Sequence, residues 1–252
     1  MRKTIKTDIN KAFDHVKHVQ AIMTLVEQGL SRREISRQIE EENLLSIDSP
    51  TARQTIKNSL FRHYIEPFDV KTLKTLSKIF ISEKLPLQVK RELLFVFMCE
   101  TDDLAKILTL DILYPAYANG EGSISRRDMA DFVSKKTGYA DLTVSKCVGG
   151  YLTLTNRIGI TSLDNSTIRL NFFQAKKETF TILLFLLFQK KMTPAKIVRA
   201  ETFRFLLLDE LAIVRHLQSL ASQGLVDFAM AGGVIRLEPK IEFEGVPDVL
   251  KL

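Results

Sequence analysis

Two groups of side chains in this sequence have the types and spacing for chemistry, and the first is a pair of histidines. His15 and His18 lie three residues apart beside Asp14, a spacing that places both imidazoles on one face of a helix. Such a pair can hold a metal ion, but a catalytic zinc site normally has three protein ligands. Because no further ligands accompany the pair at helical spacing, we interpret both as surface histidines and predict no metal site and no cofactor.

The second group is a set of polar and basic side chains between Ser49 and Tyr64. Apolar residues recur there at helical spacing, which predicts a buried stripe, and the opposite face carries Arg53, Gln54, Lys57, Asn58 and Arg62. Asn and Gln can bond adenine edges, and Arg and Lys can bond guanine or phosphate. The set therefore predicts a DNA-contacting helix. The alternative is the solvated face of an ordinary amphipathic helix, and the long connection over residues 40–48 exceeds the usual helix-turn-helix turn of about 3–4 residues.

A further basic set lies near the middle of the chain. Ser125 is predicted to cap a helix, and Thr143 is predicted to cap the next one. The predicted phosphate-contacting side chains on these two helices are Arg126, Arg127, Lys135, Lys136 and Lys146. The alternative is that Gly149 and Gly150, inside the second helix, indicate close packing against a neighbouring helix.

The elements that would position these side chains form three related modules. Two segments, NRIGITSLDNSTIRL and SQGLVDFAMAGGVIRL, each place a glycine after a helix, then an apolar pair, a turn and an Ile-Arg-Leu strand. We predict a mainly α fold with short β-hairpin wings, built of helix-turn-helix or winged-helix-like modules in a multi-helix array. The predicted domains are 1–78, 79–172 and 173–252. The third module opens its presumed recognition helix with Asp209 and Glu210, which would repel phosphate and favour a structural or partner-binding role.

Composition and charge are consistent with a globular protein that binds a polyanion. The 252 residues include 36 Lys and Arg against 30 Asp and Glu, a net charge of +6. The two cysteines, Cys99 and Cys147, lack metal-ligand spacing and are predicted to be reduced core residues. The most apolar run, TFTILLFLLF, has only about half of the ~20 residues of a membrane span, so we predict a buried helix. With no signal peptide visible, we expect a cytoplasmic protein without membrane contact.

The sequence offers no motif for a reaction. It contains no P-loop, no glycine-rich dinucleotide turn after a strand and no nucleophile elbow. No nucleophile, base and orienting group are spaced for acyl or phosphoryl transfer. We therefore predict a protein that is not an enzyme and has no catalytic residue. Two functions are left open, namely DNA binding and a protein adaptor whose modules dock other proteins.

Several stretches of the chain resemble one bacterial family. They are LVEQGLSRREISRQIEEENLLSIDSPTARQTIKNSLFRHY within 21–64, then ILTLDILYPAYANG, DMADFVSKKTG and LQSLASQGLVDF. In these spaced positions the chain resembles the BrxA family of BREX phage-defence systems. The resemblance implies an accessory, non-catalytic subunit encoded beside a methyltransferase, an ATPase and a phosphatase-like protein. It also implies winged-helix-like domains and duplex DNA and other phage-defence subunits as partners.

Overall fold

The chain is mainly helical, with two small antiparallel sheets, as predicted. The computed structural model describes residues 5, 7–9 and 14–252. The helices before the first strand are α1 Val16–Glu27, α2 Arg32–Glu41, α3 Pro50–Tyr64, α4 Val70–Ile81, α5 Leu87–Thr101, α6 Asp103–Leu108 and, after a π-helical turn Thr109–Leu113, α7 Tyr114–Ala118. The elements of the middle of the chain are β1 Ser123–Ser125, α8 Arg126–Thr137, α9 Asp141–Arg157, β2 Thr161–Asp164 and β3 Thr167–Leu170. The remainder comprises α10 Lys177–Gln189, α11 Pro194–Val198, α12 Glu201–Arg204, α13 Glu210–Ser222, β4 Val226–Ala231, β5 Val234–Pro239, a 3-10 turn Phe243–Gly245 and α14 Val246–Val249.

The helix ends of the N-terminal region follow the predicted local chemistry. The Ser31 side chain accepts from the Glu34 N–H, and the Glu34 carboxylate accepts from the Ser31 N–H, so a capping box begins α2. Ser49 caps α3 through the Ala52 N–H, with Pro50 at the first helical position. Gly29 has φ +86°, the left-handed conformation that lets the chain leave α1. The residue types at the helix ends therefore account for the end of α1 and the starts of α2 and α3.

Two helices, α5 and α10, form the centre of the molecule. The run TFTILLFLLF lies in α10, where Thr179–Leu187 are all buried, so the predicted core helix is confirmed. α5 is buried from Leu93 to Cys99 and packs against α3, α9 and α10. Cys99 and Cys147 are both free and buried, as predicted. Among the residues that the structure describes, no helix is long and apolar enough to cross a membrane.

One buried carboxylate joins these central helices. Glu92 on α5 is fully buried, accepts from the Lys176 N–H at 3.0 Å and also accepts from the Thr179 hydroxyl. Gln88 donates to Glu92 at 3.1 Å and to the carbonyl of Ile158, just after α9, at 2.6 Å. Burial raises the pKa of Glu92 above its ordinary value. Its acceptor contacts link the start of α10 to the end of α9.

The middle sheet contains a strand that the sequence did not predict. Its order is β1-β3-β2, all antiparallel, with Ile168 of β3 opposite Ile124 of β1 and Leu163 of β2. β2 and β3 flank the predicted turn at Asp164-Asn165. The second sheet is the predicted hairpin β4–β5, in which Gly232 and Gly233 turn with φ +54° and +82°.

The buried core runs through all three predicted modules. Apolar side chains from α1 to the 3-10 turn near the C-terminus belong to one contiguous cluster. The boundary predicted after residue 78 falls inside α4, and the one after residue 172 falls between β3 and α10. The three predicted modules consequently share one hydrophobic core, with α5 and α10 at its centre.

One local prediction about α9 is wrong. The helix begins at Asp141 after the N-cap position Ala140, so Thr143 lies in the first turn and does not cap it. The Thr143 N–H instead donates to the Ala140 carbonyl at 2.8 Å. Of the two glycines inside this helix, Gly149 does not pack closely: a Cβ atom added to it would have no atom of the described residues within 4 Å.

Candidate nucleic-acid interface

The predicted residues on α3 divide into outward amides and cations that contact their own chain. Gln54 and Asn58, one turn apart, are exposed. Arg53 is half-buried, and its guanidinium donates to three backbone carbonyls, those of Glu40, Ile47 and Asp48, with 3.0 Å to Ile47 and 3.5 Å to Asp48. The connection between α2 and α3 therefore wraps around this guanidinium, which satisfies carbonyls that would otherwise face solvent.

Lys57 and Arg62 also have partners within the molecule. The Lys57 ammonium is in contact with the Glu40 carboxylate and lies 3.0 Å from the Ser36 hydroxyl, and its side chain is only 13% exposed. Arg62 donates to the Asp8 carboxylate at 2.9 Å. The charges of these two side chains are thus partly neutralised before any ligand arrives.

The Arg62 contact belongs to a small polar cluster that holds the segment 7–9. The Asp8 N–H donates to Asp102 at 2.6 Å, and the Thr7 hydroxyl donates to the same carboxylate at 3.0 Å. Asp102 is buried, which raises its pKa, and it caps α6 through the N–H groups of Leu104 and Ala105. Asp102 thus serves as a helix cap, and Arg62 is part of this structural cluster.

The basic residues of α8 lie at the surface. Ser125 accepts from the Asp128 N–H, as predicted, which places Arg126 and Arg127 in the first turn of α8. Arg127 and Lys135 are exposed, and Arg126 is half-buried beside the start of the helix. Lys136 is exposed too, but it lies 3.5 Å from Asp111 and 5.1 Å from the centre of the Phe132 ring.

The exposed side of α9 is the best candidate for a recognition surface. Lys146 is exposed near its start, Thr153 two turns later, and Asn156 and Arg157 at its end. An open cleft separates α9 from β2 and the start of α8. Its lining residues are Arg126, Gly149, Leu152, Thr153, Asn156, Arg157 and Leu163.

The electrostatics of this cleft differ from those around α3. Among the residues that the structure describes, no acidic side chain lines the cleft. Within residues 14–252, the ion pairs of this region are Lys136 with Asp111 and Arg169 with Asp164, and none involves Arg126, Arg127, Lys146 or Arg157. Arg157 and Asp14 both line a small cavity and interact electrostatically without a close ion pair. Cations that form no close ion pair remain available to neutralise phosphate.

Sequence reasoning missed two members of this surface, Thr153 and Asn156. Both follow Lys146 at spacings that keep them on one side of α9, so extending the helical period from Lys146 would have found them. The buried side of α9 is held by a hydrogen bond in the core, where the hydroxyls of Tyr151 and Thr109 lie 3.0 Å apart. The exposed face is therefore presented by a helix whose other side is firmly packed.

The C-terminal module presents a different surface on α13. Asp209 caps this helix through the Ala212 N–H, Glu210 is in its first turn, and Leu211 is 57% exposed. Arg215 is exposed on the same helix, whereas His216 stacks on Phe180 with ring centres 4.5 Å apart. Burial lowers the pKa of His216. The acidic start of α13 is confirmed as a structural feature.

The histidine pair does not fit the surface interpretation. His15 is only 3% exposed, because it begins α1 against the core, and its Nδ1 lies 3.3 Å from that of His18. His18 is half-buried, which lowers its pKa. Among the described residues, no group of three or more His, Cys, Asp or Glu side chains is arranged to hold a metal ion.

A family model described as BrxA matches residues 6–141, slightly more than half of the chain and extending from the N-terminal segment through α8. No curated protein and no solved structure matches the chain.

Proposed function

Because the chain belongs to the BrxA family of BREX phage-defence systems, we propose that it serves its system as a non-catalytic accessory protein that binds duplex DNA. The observation that carries this proposal is the acid-free cleft beside α9, with Arg126 on one side and Arg157 on the other. Guanidinium groups that form no close ion pair suit phosphate, and release of DNA counterions would supply the affinity.

The proposed binding mode is that of a winged helix. The strand order β1-β3-β2 with α8 and α9 inserted after β1 supports it, since α9 then corresponds to the recognition helix and β2–β3 to the wing. Lys146, Thr153 and Asn156 would face the groove, and Arg126 and Arg157 would contact the phosphates on either side. Arg127 and Lys135 would extend the same positive surface along α8.

Helix α3 has a supporting role in this proposal. Its exposed amides, Gln54 and Asn58, are free to meet a base edge, whereas Arg53, Lys57 and Arg62 hold their own chain. Replacing those three cations would disturb the fold as well as any DNA contact. The test is therefore better placed on α8 and α9.

The experiment compares two double variants of equal charge. Arg126→Gln with Arg157→Gln removes both guanidiniums of the cleft, and Arg33→Gln with Arg37→Gln removes two exposed arginines of α2. Fluorescence anisotropy on duplex DNA over a salt series gives Kd and the salt slope. We expect at least a ten-fold loss for the first variant, with a slope shallower by nearly 2 because about 0.9 is lost per phosphate contact. Equal losses in both variants, or no binding by the wild type at low salt, would refute the proposal.

A second function, docking of other subunits of the defence system, is supported by the C-terminal module. Asp209 and Glu210 disfavour phosphate there, and the exposed Leu211 offers an apolar contact beside them. Glu210→Arg with Leu211→Ser should weaken co-purification with the other purified subunits and leave DNA affinity unchanged. Loss of DNA affinity in that variant would argue against this division of labour.

A further inference from the structure

Gly149 lies in the middle of α9, where glycine weakens a helix. Glycine loses more backbone freedom on folding than alanine and contributes no side-chain packing. Helix interiors therefore retain glycine where something needs the room or the conformation. Either a neighbouring part of the chain or a ligand must supply that reason.

The described residues around Gly149 supply no such reason. Gly29, Gly138 and Gly159 adopt φ between +71° and +86°, which their turns require. Gly149 has an ordinary helical backbone, and a Cβ atom built on it would have no atom within 4 Å. An alanine would fit there without strain and would favour the helix.

What Gly149 does adjoin is the cleft between α9, β2 and the start of α8. Arg126 and Arg157 line that cleft, with Asn156 and Thr153 as uncharged hydrogen-bonding groups. An elongated anion that lies between the two guanidiniums would pass over the backbone of α9 at Gly149. Glycine at this point lets such a ligand approach the helix more closely than any other residue would.

We propose that Gly149 is the point of closest approach between α9 and the sugar–phosphate backbone of bound duplex DNA. Arg126 and Arg157 then hold the flanking phosphates, and the missing side chain lets the strand seat between them. This proposal rests on the proposed DNA-binding function, and it adds a residue that determines the fit and carries no charge.

The test fills the space without altering charge. Gly149→Ala and Gly149→Leu add a methyl and an isobutyl group, and the matched controls are Gln218→Ala and Gln218→Leu at the exposed ninth residue of α13. We expect Tm of Gly149→Ala to equal or exceed that of the wild type. Its Kd for duplex DNA should rise at least five-fold and that of Gly149→Leu at least twenty-fold, while both controls stay within two-fold.

The results distinguish the role of Gly149 from DNA binding by the cleft. If Arg126→Gln with Arg157→Gln weakens binding and both Gly149 variants bind like the wild type, Gly149 has no such role and DNA binding stands. If the arginine variant also binds like the wild type, the cleft is not the DNA site at all. A marked fall of Tm in Gly149→Ala would show an internal need for glycine and would overturn the inference directly.

Discussion

Helices α3 and α9 carry similar polar and basic side chains, but the cations of α3 contact their own chain, whereas those of α9 are exposed and Arg157 borders an open cleft. Arg53 donates to carbonyls of the preceding loop, and Lys57 contacts Glu40 of α2. On α9, Lys146 and Arg157 are exposed and form no ion pair within residues 14–252. A basic outward face therefore indicates a binding surface only where the surrounding loops leave the cations unoccupied.

The largest effect that separates the two helices is expected at Arg53. Arg53→Ala leaves the carbonyls of Glu40, Ile47 and Asp48 without their donor, and hydrogen bonds from a charged group are worth more than neutral ones. We expect the free energy of unfolding to fall by about 2–3 kcal/mol, measured by urea denaturation. Arg157→Ala, the control on α9, should change it by less than about 0.5 kcal/mol. If both variants lose the same stability, the contrast between the helices is false.

A second effect concerns how α9 is held at its C-terminal end. Burial raises the pKa of Glu92 above its ordinary value of 4.5, so the folded state binds a proton more tightly than the unfolded state. That stabilising contribution is complete below pH 4.5 and is lost as the pH rises through the folded-state pKa. Stability of the wild type relative to Glu92→Gln should therefore fall from pH 4.5 toward neutrality, with a slope of at most about 1.4 kcal/mol per pH unit.

Chemical denaturation of both proteins between mildly acidic and neutral pH measures this difference. Glu210→Gln, at an exposed position of α13, is the control and should follow the wild type in parallel. Parallel curves for Glu92→Gln as well would mean that the buried carboxylate does not couple to pH, and that the Gln88 contact to Ile158 alone fixes the end of α9.

How much could be read from the sequence depends on whether a feature is local. The cap at Ser125 and the buried helix α10 follow from neighbouring residues, and both were predicted correctly. Strand β1 was missed, because three residues without an apolar pattern become a strand only by pairing with β3. In a segment of three residues, pairing with a distant strand produces no sequence pattern that could predict it.

The same distinction explains the candidate site. Thr153 and Asn156 follow the helical period from Lys146, so they were predictable in principle. The partners of Arg53 were not, because they are backbone carbonyls of a loop. That loop takes its shape from the left-handed residues Asn43 and Ser46, with φ +53° and +54°, and side-chain type alone does not specify such a path.

A smaller effect is expected for the ion pair between α2 and α3. A double-mutant cycle with Lys57→Met and Glu40→Gln should give a coupling energy of about 1 kcal/mol, because the Lys57 side chain is only 13% exposed and poorly screened. The comparison pair, Lys136 with Asp111, has both side chains about half exposed and should give roughly 0.2–0.5 kcal/mol. A larger coupling for the α8 pair would show that the cations of α3 are no more committed to the fold than those of the middle module.

The smallest effect is expected at the exposed amides of α3, whose loss tests directly whether α3 or α9 contacts DNA. A paired amide–adenine contact is worth about 1–3 kcal/mol, so the loss of even one would weaken specific binding about five-fold or more. Since we place the affinity on α9, Gln54→Ala with Asn58→Ala should raise Kd for duplex DNA less than about two-fold. Lys146→Ala should raise Kd roughly three- to ten-fold, because it removes one cation from the face of α9 that meets the groove. All three side chains are exposed, so neither variant should alter Tm. A change of Kd in the anisotropy titration would therefore report DNA contact and not a loss of folding. If Gln54→Ala with Asn58→Ala raises Kd more than Lys146→Ala does, α3 is the helix that enters the groove. The internally paired cations of α3 would then hold that helix in position to contact bases.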